Sequence, residues 1–168
     1  MFRKDDYVFY ESEGICRVSD ILRAPLEGMP EDREYYMLRP IYSRNGVLYV
    51  PVDNDKIYMR AILKKEEAEE LVNEIPKLEE ICEEDSKKLR ATYTELLQSH
   101  LPRNWVRILK TARTRLQNSM AKGQRLSDTE RTVADSARRF LHSELALALD
   151  LDETEVEAYI RSRIGDPA

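Results

Sequence analysis

The sequence predicts an α+β protein in which a small, strongly bent β-barrel is followed by an all-α domain of about four to five helices. Short runs of aromatic and β-branched residues fill about the first 60 of its 168 positions, and such runs are typical of strands. Beyond about residue 62, apolar residues recur every three to four positions, as in amphipathic helices. Four to five short strands are too few for a sandwich, so a small barrel is the natural way for them to share a core.

The strands of the first domain are separated by turn-forming residues. Asn45 and Gly46 form a dipeptide that favours a hairpin turn between the last two strands. Pro40 and Pro51 cannot donate hydrogen bonds to a neighbouring strand, so each favours a strand end or a sheet edge. The predicted strands are 7–10, 15–22, 33–42 and 46–52.

The helices of the second domain are marked by their ends. The first runs from about residue 64 to Pro76, and a second stretch begins with Leu78, Ile81 and Cys82 and stops before Pro102. Pro102 suits the first turn of the third helix. We place the domain boundary between these first two helices, giving a β domain over 1–75 with a closing helix and a helical domain over 76–168.

The later helices carry recognisable capping residues. The third helix ends near Gly123, a residue suited to the position just after a helix. The segment Ser127-Asp128-Thr129-Glu130 has the spacing of a capping box and predicts the start of the fourth helix. The run from Asp152 to Glu155 repeats that spacing for the last helix.

Composition and motifs argue against catalysis and against a membrane location. The five glycines are too dispersed for a phosphate-binding loop, and no catalytic triad or metal-ligand spacing is visible, so we expect neither an enzyme nor a metal or cofactor. No apolar run approaches the roughly 20 residues needed to span a bilayer. No signal peptide is visible at the N-terminus. Cys16 and Cys82 are expected to be free thiols of a cytoplasmic protein.

The charge is unevenly distributed along the chain. Residues 101–140 contain ten basic and three acidic side chains, a local charge of +7, whereas the whole chain carries −5 and the remainder therefore −12. Such polarity can present a cationic patch on a protein that is acidic overall. A solvated helix face is the alternative interpretation of this cluster.

The only tryptophan lies on the helix that opens this basic segment. Trp105 shares a helical face with Ile108, Leu109, Ala112 and Leu116. Arg103, Arg107 and Lys110 fall on another face, joined roughly by Arg113. Core packing is therefore the favoured role for Trp105, and base stacking against nucleic acid is the alternative.

The order of motifs resembles the CarD/CdnL family of bacterial transcription regulators. In the first domain, the matching residues are Asp6, Val8, Tyr10, Gly14, Val18, Ile21, Glu34, Tyr35, Leu38, Val50 and Pro51. In the second domain, they are Leu126, Ser127, Glu130, Arg131, Ala137, Leu141, Glu144 and Leu145. Asp5 and Glu11 stand where the family pattern has glycine and proline.

This resemblance implies a Tudor-like (SH3-like) barrel that binds the β subunit of RNA polymerase, as in transcription-repair coupling factor. It also implies a helical domain that contacts promoter DNA and modulates the stability of the open complex. The residues expected to bind polymerase are Arg23, Arg39, Leu48, Tyr49 and Val50. Members of the family place a tryptophan wedge where this chain has the stretch near Ser86, which contains no aromatic residue.

We expect weak, largely sequence-independent binding to DNA by a monomer, because few side chains here suit the reading of bases. The residues expected to contact phosphates are Lys87, Lys88, Arg90, Arg103, Arg107, Lys110, Arg113, Arg131 and Arg138. A protein–protein adaptor that binds polymerase or another protein without touching DNA remains the second hypothesis.

Overall fold

A computed structural model describes residues 1–11 and 13–165 and confirms the α+β class. The chain forms two compact units, Met1–Ile62 and Leu63–Ala168. The first helix belongs to the second unit because its buried residues pack against later helices. The division therefore falls one helix earlier than the boundary expected at residue 75.

The first unit contains a five-stranded antiparallel sheet. Its spatial order is β4-β3-β2-β1-β5, with β4 and β5 at the edges. A register shift between Val18 and Asp20 marks a bulge in β2, and such bulges bend a strand and increase its twist. The strands are β1 Tyr7–Tyr10, β2 Gly14–Arg23, β3 Glu34–Pro40, β4 Leu48–Pro51 and β5 Met59–Ala61.

The predicted hairpin between β3 and β4 is present, but its connection is longer than a two-residue turn. Seven residues separate the strands, and the Ser43 hydroxyl accepts a hydrogen bond from the Gly46 N–H at 3.0 Å. Pro40 and Pro51 each end a strand, as their missing N–H predicts. The short strand β5 was not singled out in the sequence.

One face of the sheet carries an apolar core. It is built from alternate residues of four strands, the arrangement expected when one face is covered. Phe2 packs against this core from outside the strands, and its backbone N–H donates to the Tyr36 hydroxyl at 3.0 Å. The buried members are Val8, Tyr10, Cys16, Val18, Tyr36, Leu38 and Val50.

The second unit contains five α-helices. They are α1 Lys65–Glu74, α2 Ser86–Gln98, α3 Pro102–Ala121, α4 Asp128–Leu149 and α5 Glu153–Ile164, with a 3-10 turn, Ile75–Lys77, directly after α1. The longest, α4, packs against each of the other four helices. Within the described residues, none of these helices is both long and apolar enough to cross a membrane.

The prediction that Leu78, Ile81 and Cys82 lie in a helix is wrong. Helix α2 begins only at Ser86, and residues 78–85 have no regular secondary structure. Five acidic side chains crowd this segment. Asp85 caps α2 by accepting from the Lys88 N–H, and the Ile81 N–H is taken by the Thr111 hydroxyl of α3 at 2.8 Å. The segment is held by α3 rather than by its own helical hydrogen bonds.

Most predicted helix ends are confirmed. Pro102 occupies the first turn of α3, and Gly123 adopts a left-handed φ of +69° after its end. Asp152 and Glu155 form a complete capping box at α5. At α4 only half of the predicted box forms: Ser127 accepts from the Glu130 N–H, but the Glu130 carboxylate binds Arg115 instead.

Trp105 lies in the core of the helical unit, as its position on the apolar face predicts. Its side chain is fully buried, its ring lies 5.4 Å from that of Phe140 on α4, and its indole N–H donates to the Leu97 carbonyl at 3.3 Å. The opposite expectation, a tryptophan stacked on bases, requires an exposed ring. Trp105 therefore anchors α3 to α2 and α4.

Candidate binding surfaces

The first candidate surface is the outer edge of β4, which is the end strand of the sheet and pairs with β3. The Val52 N–H donates to the Glu34 carbonyl at 3.0 Å, and β4 pairs Val50 with Tyr36. Hydrogen-bonded pairs alternate in antiparallel strands. The backbone N–H and C=O of Tyr49 therefore point away from β3, towards the edge, where another strand could pair with them.

The side chains predicted to bind polymerase divide between the core and the surface. Val50 is buried in the sheet core, and Leu48 is partly buried where it packs against that core. Tyr49 is half-buried and points to the opposite face of β4. Arg23 and Arg39 are exposed, and Arg23 lies 3.9 Å from the Glu34 carboxylate across the strand pair. Of the five predicted residues, the two arginines are exposed, Leu48 and Tyr49 are partly buried, and Val50 is buried.

The first half of α3 directs its basic side chains towards residues 74–80. The Arg103 guanidinium lies 2.9 Å from the Glu74 carboxylate, and the Arg107 Nε donates to the Glu79 carbonyl at 3.0 Å. The Lys110 ammonium donates to two carbonyls, those of Ile75 at 2.8 Å and Leu78 at 2.5 Å. These cations hold the chain that follows α1, and their donors are largely committed to that task.

The three basic residues at the start of α2 are exposed but sit beside acidic neighbours. Lys87, Lys88 and Arg90 extend from the first turns of the helix. Residues 79–85 just before them carry five carboxylates. The resulting local charge is negative, so this stretch alone offers phosphate little attraction.

The second candidate surface is a trough in the helical unit, with a volume of about 1120 Å³. Helix α4 contributes residues between Arg131 and His142 to it, while α3 and α5, which both pack against α4, contribute the flanking residues. Of the basic residues predicted from the sequence, Lys110, Arg113, Arg131 and Arg138 line the trough, joined by Arg125 and Arg161.

Few of these arginines are engaged by strong ion pairs. Arg131 lies 4.0 Å from Asp128 and Arg138 lies 3.8 Å from Asp135, both on the exposed surface of α4. Exposed pairs at such distances contribute little. Arg113 and Arg125 make no ion pair with any residue that the structure describes. Arg161 is paired with Glu157 at 3.0 Å. Arg113, Arg125, Arg131 and Arg138 therefore remain available to an anionic partner.

One ion pair fixes the second half of α3 against α4. The Arg115 guanidinium meets the buried Glu130 carboxylate through two parallel hydrogen bonds of 2.9 and 3.0 Å, the strong fork geometry of such pairs. The hydrogen bonds that Arg115 donates to the Glu130 carboxylate raise the pKa of Arg115. Burial, reinforced by the Glu130 charge, raises the pKa of the neighbouring Tyr93 to about 12.

His142 adds a titratable group to the trough. Burial, together with the positive charge of Arg138, lowers its pKa, against the opposing effect of Glu157 and Glu153. Its neutral form is therefore favoured in the folded protein.

Sequence reasoning missed Arg125 and Arg161 as members of the basic surface and the exposure of Leu116 and Met120. Leu116 belongs to the apolar stripe of α3, yet 42% of it is exposed, and Met120 is 68% exposed. The periodicity of the sequence identified the apolar stripe of α3, but it could not show that the end of this stripe is left exposed by the other helices. Arg161 lies on α5, 48 residues after Arg113 in the sequence, and only the fold brings the two side chains into one trough.

The described residues contain no group of three or more His, Cys, Asp or Glu side chains that could hold a metal ion. Burial and the nearby Glu13 carboxylate raise the pKa of the Cys16 thiol to about 12, which keeps it protonated. Protonated thiols are poor nucleophiles.

Two family models match the chain. Residues 2–63 match the CarD-like/TRCF RID domain, and residues 114–161 match the C-terminal domain of CarD. The first match covers the whole sheet of the first unit, and the second covers the last eight residues of α3, all of α4 and most of α5. A comparison with curated proteins finds no match.

Proposed function

The chain belongs to the CarD-like family and is a polymerase-interacting, transcription-associated protein, and on that premise we propose that it binds the RNA polymerase β subunit through its sheet and promoter DNA through its helical unit. In this proposal it alters the stability of the open promoter complex without catalysing a reaction. The observation that carries it is the pairing of a polymerase-interacting domain with a helical unit whose arginines meet in one trough.

The edge of β4 supports the polymerase part of the proposal. An exposed edge can pair with a strand of a partner, so that main-chain hydrogen bonds provide affinity and neighbouring side chains provide specificity. The outward N–H and C=O of Tyr49 supply such hydrogen bonds, with Arg23 and Arg39 exposed on the same sheet.

A pair of substitutions at one position tests this role. Tyr49→Pro removes the outward N–H while leaving the hydrogen bonds to β3, because proline is tolerated where an edge N–H faces solvent. Tyr49→Val removes the same phenol ring but keeps the N–H. We expect the full-length Pro variant to lose binding to a fragment of the polymerase β subunit in calorimetry, and the Val variant to retain most of it. Equal binding by both variants would refute strand pairing at this edge.

For DNA contact we propose that Arg113, Arg131 and Arg138 are the principal phosphate-binding residues. They are exposed and lie in one trough with Arg125. Lys87, Lys88 and Arg90 are then peripheral contacts, and Arg103, Arg107 and Lys110 support the fold. The binding is weak and largely independent of sequence, and tethering to polymerase compensates by raising the local concentration of the helical unit at the promoter.

Fluorescence anisotropy with the full chain and labelled duplex DNA tests the DNA part. Phosphate contacts release counterions, so the binding constant should fall steeply as salt increases. An affinity that does not change with salt, or no detectable binding at low salt, would remove DNA from the proposal.

The adaptor hypothesis is the second candidate. The absence of an aromatic residue near Ser86 and the five acidic residues just before it favour a helical unit that binds protein. Polymerase binding that persists in a chain with no measurable DNA affinity would favour this alternative.

A further inference from the structure

The trough of the helical unit combines an apolar surface with a basic one. The apolar part comes from residues of α3 and α5 and from Leu126, which lies in the connection between α3 and α4. Leu116 and Met120 are the most exposed of these side chains. The apolar side chains of this part of the trough include Leu109, Leu116, Met120, Leu126, Ile160 and Ile164.

Size and lining argue against a small molecule or a stacked base. The volume of about 1120 Å³ exceeds the range of roughly 300–1,000 Å³ that is usual for small-molecule sites. Bases of single-stranded nucleic acid stack on aromatic rings, and no Phe, Tyr or Trp is among the described residues that line the trough. A partner that contacts the trough through phosphates alone would leave its exposed apolar side chains without a contact.

The arrangement of helices suits a further helix. Both α3 and α5 pack against α4, and α4 has 22 residues, a length of about 33 Å at 1.5 Å per residue. The apolar positions 109, 116 and 120 on α3 recur at spacings of seven and four, and Ile160 and Ile164 on α5 are four apart. Such rows accept the apolar stripe of an amphipathic helix.

The net positive charge of the trough favours a partner helix that carries negative charge. Its basic side chains are Lys110, Arg113, Arg125, Arg131, Arg138 and Arg161, against the three carboxylates of Glu80, Asp135 and Glu157. Two of these carboxylates already lie within 4 Å of Arg138 and Arg161. The positive excess therefore rests mainly on Arg113, Arg125 and Arg131, beside the apolar rows.

We propose that this trough binds an acidic amphipathic helix of a partner protein. The apolar stripe of that helix would cover Leu116 and Met120, and its flanking carboxylates would meet the arginines. This site goes beyond the proposed function and shares Arg113, Arg131 and Arg138 with it, whereas Leu116 and Met120 are specific to the helix.

The test uses the full chain and a synthetic 20-residue peptide designed to form an amphipathic helix. Leucines repeat at positions i, i+3, i+4 and i+7 to form an apolar stripe, and glutamates flank that stripe on both sides. One control peptide has the same composition in scrambled order, and the other has lysine in place of every glutamate. Binding is measured by anisotropy of the labelled peptides, with duplex DNA measured in parallel. We expect the acidic helix to bind and both controls to bind at least roughly tenfold more weakly, a difference of about 1.4 kcal/mol.

Two variants separate the peptide from DNA. Leu116→Ser combined with Met120→Ser changes exposed residues, so the fold should persist. This variant should weaken binding of the acidic helix roughly tenfold, or about 1.4 kcal/mol, and leave the affinity for duplex DNA unchanged. Arg113→Gln combined with Arg131→Gln should weaken both.

Any of four results would overturn the inference. The acidic helix fails to bind, the scrambled peptide binds equally well, or the Ser variant binds the acidic helix as the original chain does. Loss of DNA affinity in the Ser variant would also overturn it, because the apolar rows would then serve DNA. Failure of the proposed function is separate and is seen as absent DNA or polymerase binding by the original chain.

Discussion

The two halves of helix α3 have similar basic composition but different surroundings. In the first half, Arg103, Arg107 and Lys110 donate to residues 74–79, and Trp105 is buried behind them. In the second half, Arg113 has no ion pair within the described chain, and Leu116 is exposed. The contrast shows that a count of cations does not locate a binding surface, because carbonyls and carboxylates of the protein itself can occupy them.

The reason for the contrast is the position of the covering elements. The segment after α1 runs along the first half of α3, where Thr111 also accepts the Ile81 N–H. Beyond that point, Arg115 provides the ion pair to α4, and the remaining side of the helix borders the trough. The first half therefore stabilises the unit, and the second half is available for partners.

The largest expected effect is the loss of stability in Trp105→Ala. Removing this fully buried ring should lower the free energy of unfolding by about 3–5 kcal/mol, as for other large-to-small core substitutions. Urea denaturation followed by circular dichroism measures this change, because the variant lacks the tryptophan signal. A variant with unchanged stability that no longer binds DNA would contradict the comparison, since Trp105 would then belong to the binding surface.

A smaller loss is expected for Lys110→Met. The methionine keeps the apolar stem but leaves the carbonyls of Ile75 and Leu78 without their ammonium donor. Hydrogen bonds that involve a charged group contribute about 1.5–3 kcal/mol, so unfolding should become easier by about that amount. The matched substitution Arg113→Met in the second half should change stability by less than about 0.5 kcal/mol. Equal losses in the two variants would remove the distinction between the halves.

The smallest expected effect is on pH dependence and involves His142 at the trough. Its pKa is lowered in the folded protein, so the unfolded chain takes up a proton first as the pH falls through its ordinary value of 6.5. The free energy of unfolding should therefore decrease between about pH 7 and pH 5. His142→Gln should flatten this dependence, and Arg138→Gln should raise the pKa of His142 in an NMR titration. An unchanged pKa in the Arg138 variant would show that these two side chains do not interact.

The order of elements was predictable from sequence because it depends on local patterns. Strand alternation, the prolines at strand ends and the capping residues of α5 all act within a few positions. The segment 78–85 was mispredicted because its apolar spacing fits a helix. Two hydrogen bonds to α3 hold it in another form: the Ile81 N–H donates to the Thr111 hydroxyl, and Arg107 donates to the Glu79 carbonyl. The Glu130 carboxylate was likewise expected to complete the capping box of α4, but it accepts from Arg115, 15 residues earlier in the sequence.

The binding surfaces were less predictable because they depend on contacts between helices. The family resemblance identified the polymerase-interacting domain, which the family match confirms. The core position of Trp105 was predictable because its side chain lies on the apolar face of α3. The trough did not follow, because Arg161 and Arg113 come together only when α4 packs between their helices.

Our proposal is that the arginines of the trough, rather than the cations of the first half of α3, contact DNA. Its most direct test is the slope of log affinity against log salt for duplex DNA, measured for two triple variants of the full chain. Arg113/Arg131/Arg138→Gln should reduce the slope by about 2.7, since each phosphate contact contributes about 0.9. Arg103/Arg107/Lys110→Gln should leave the slope unchanged while lowering stability. The opposite pattern, a lost slope in the second variant and a retained one in the first, would contradict the account.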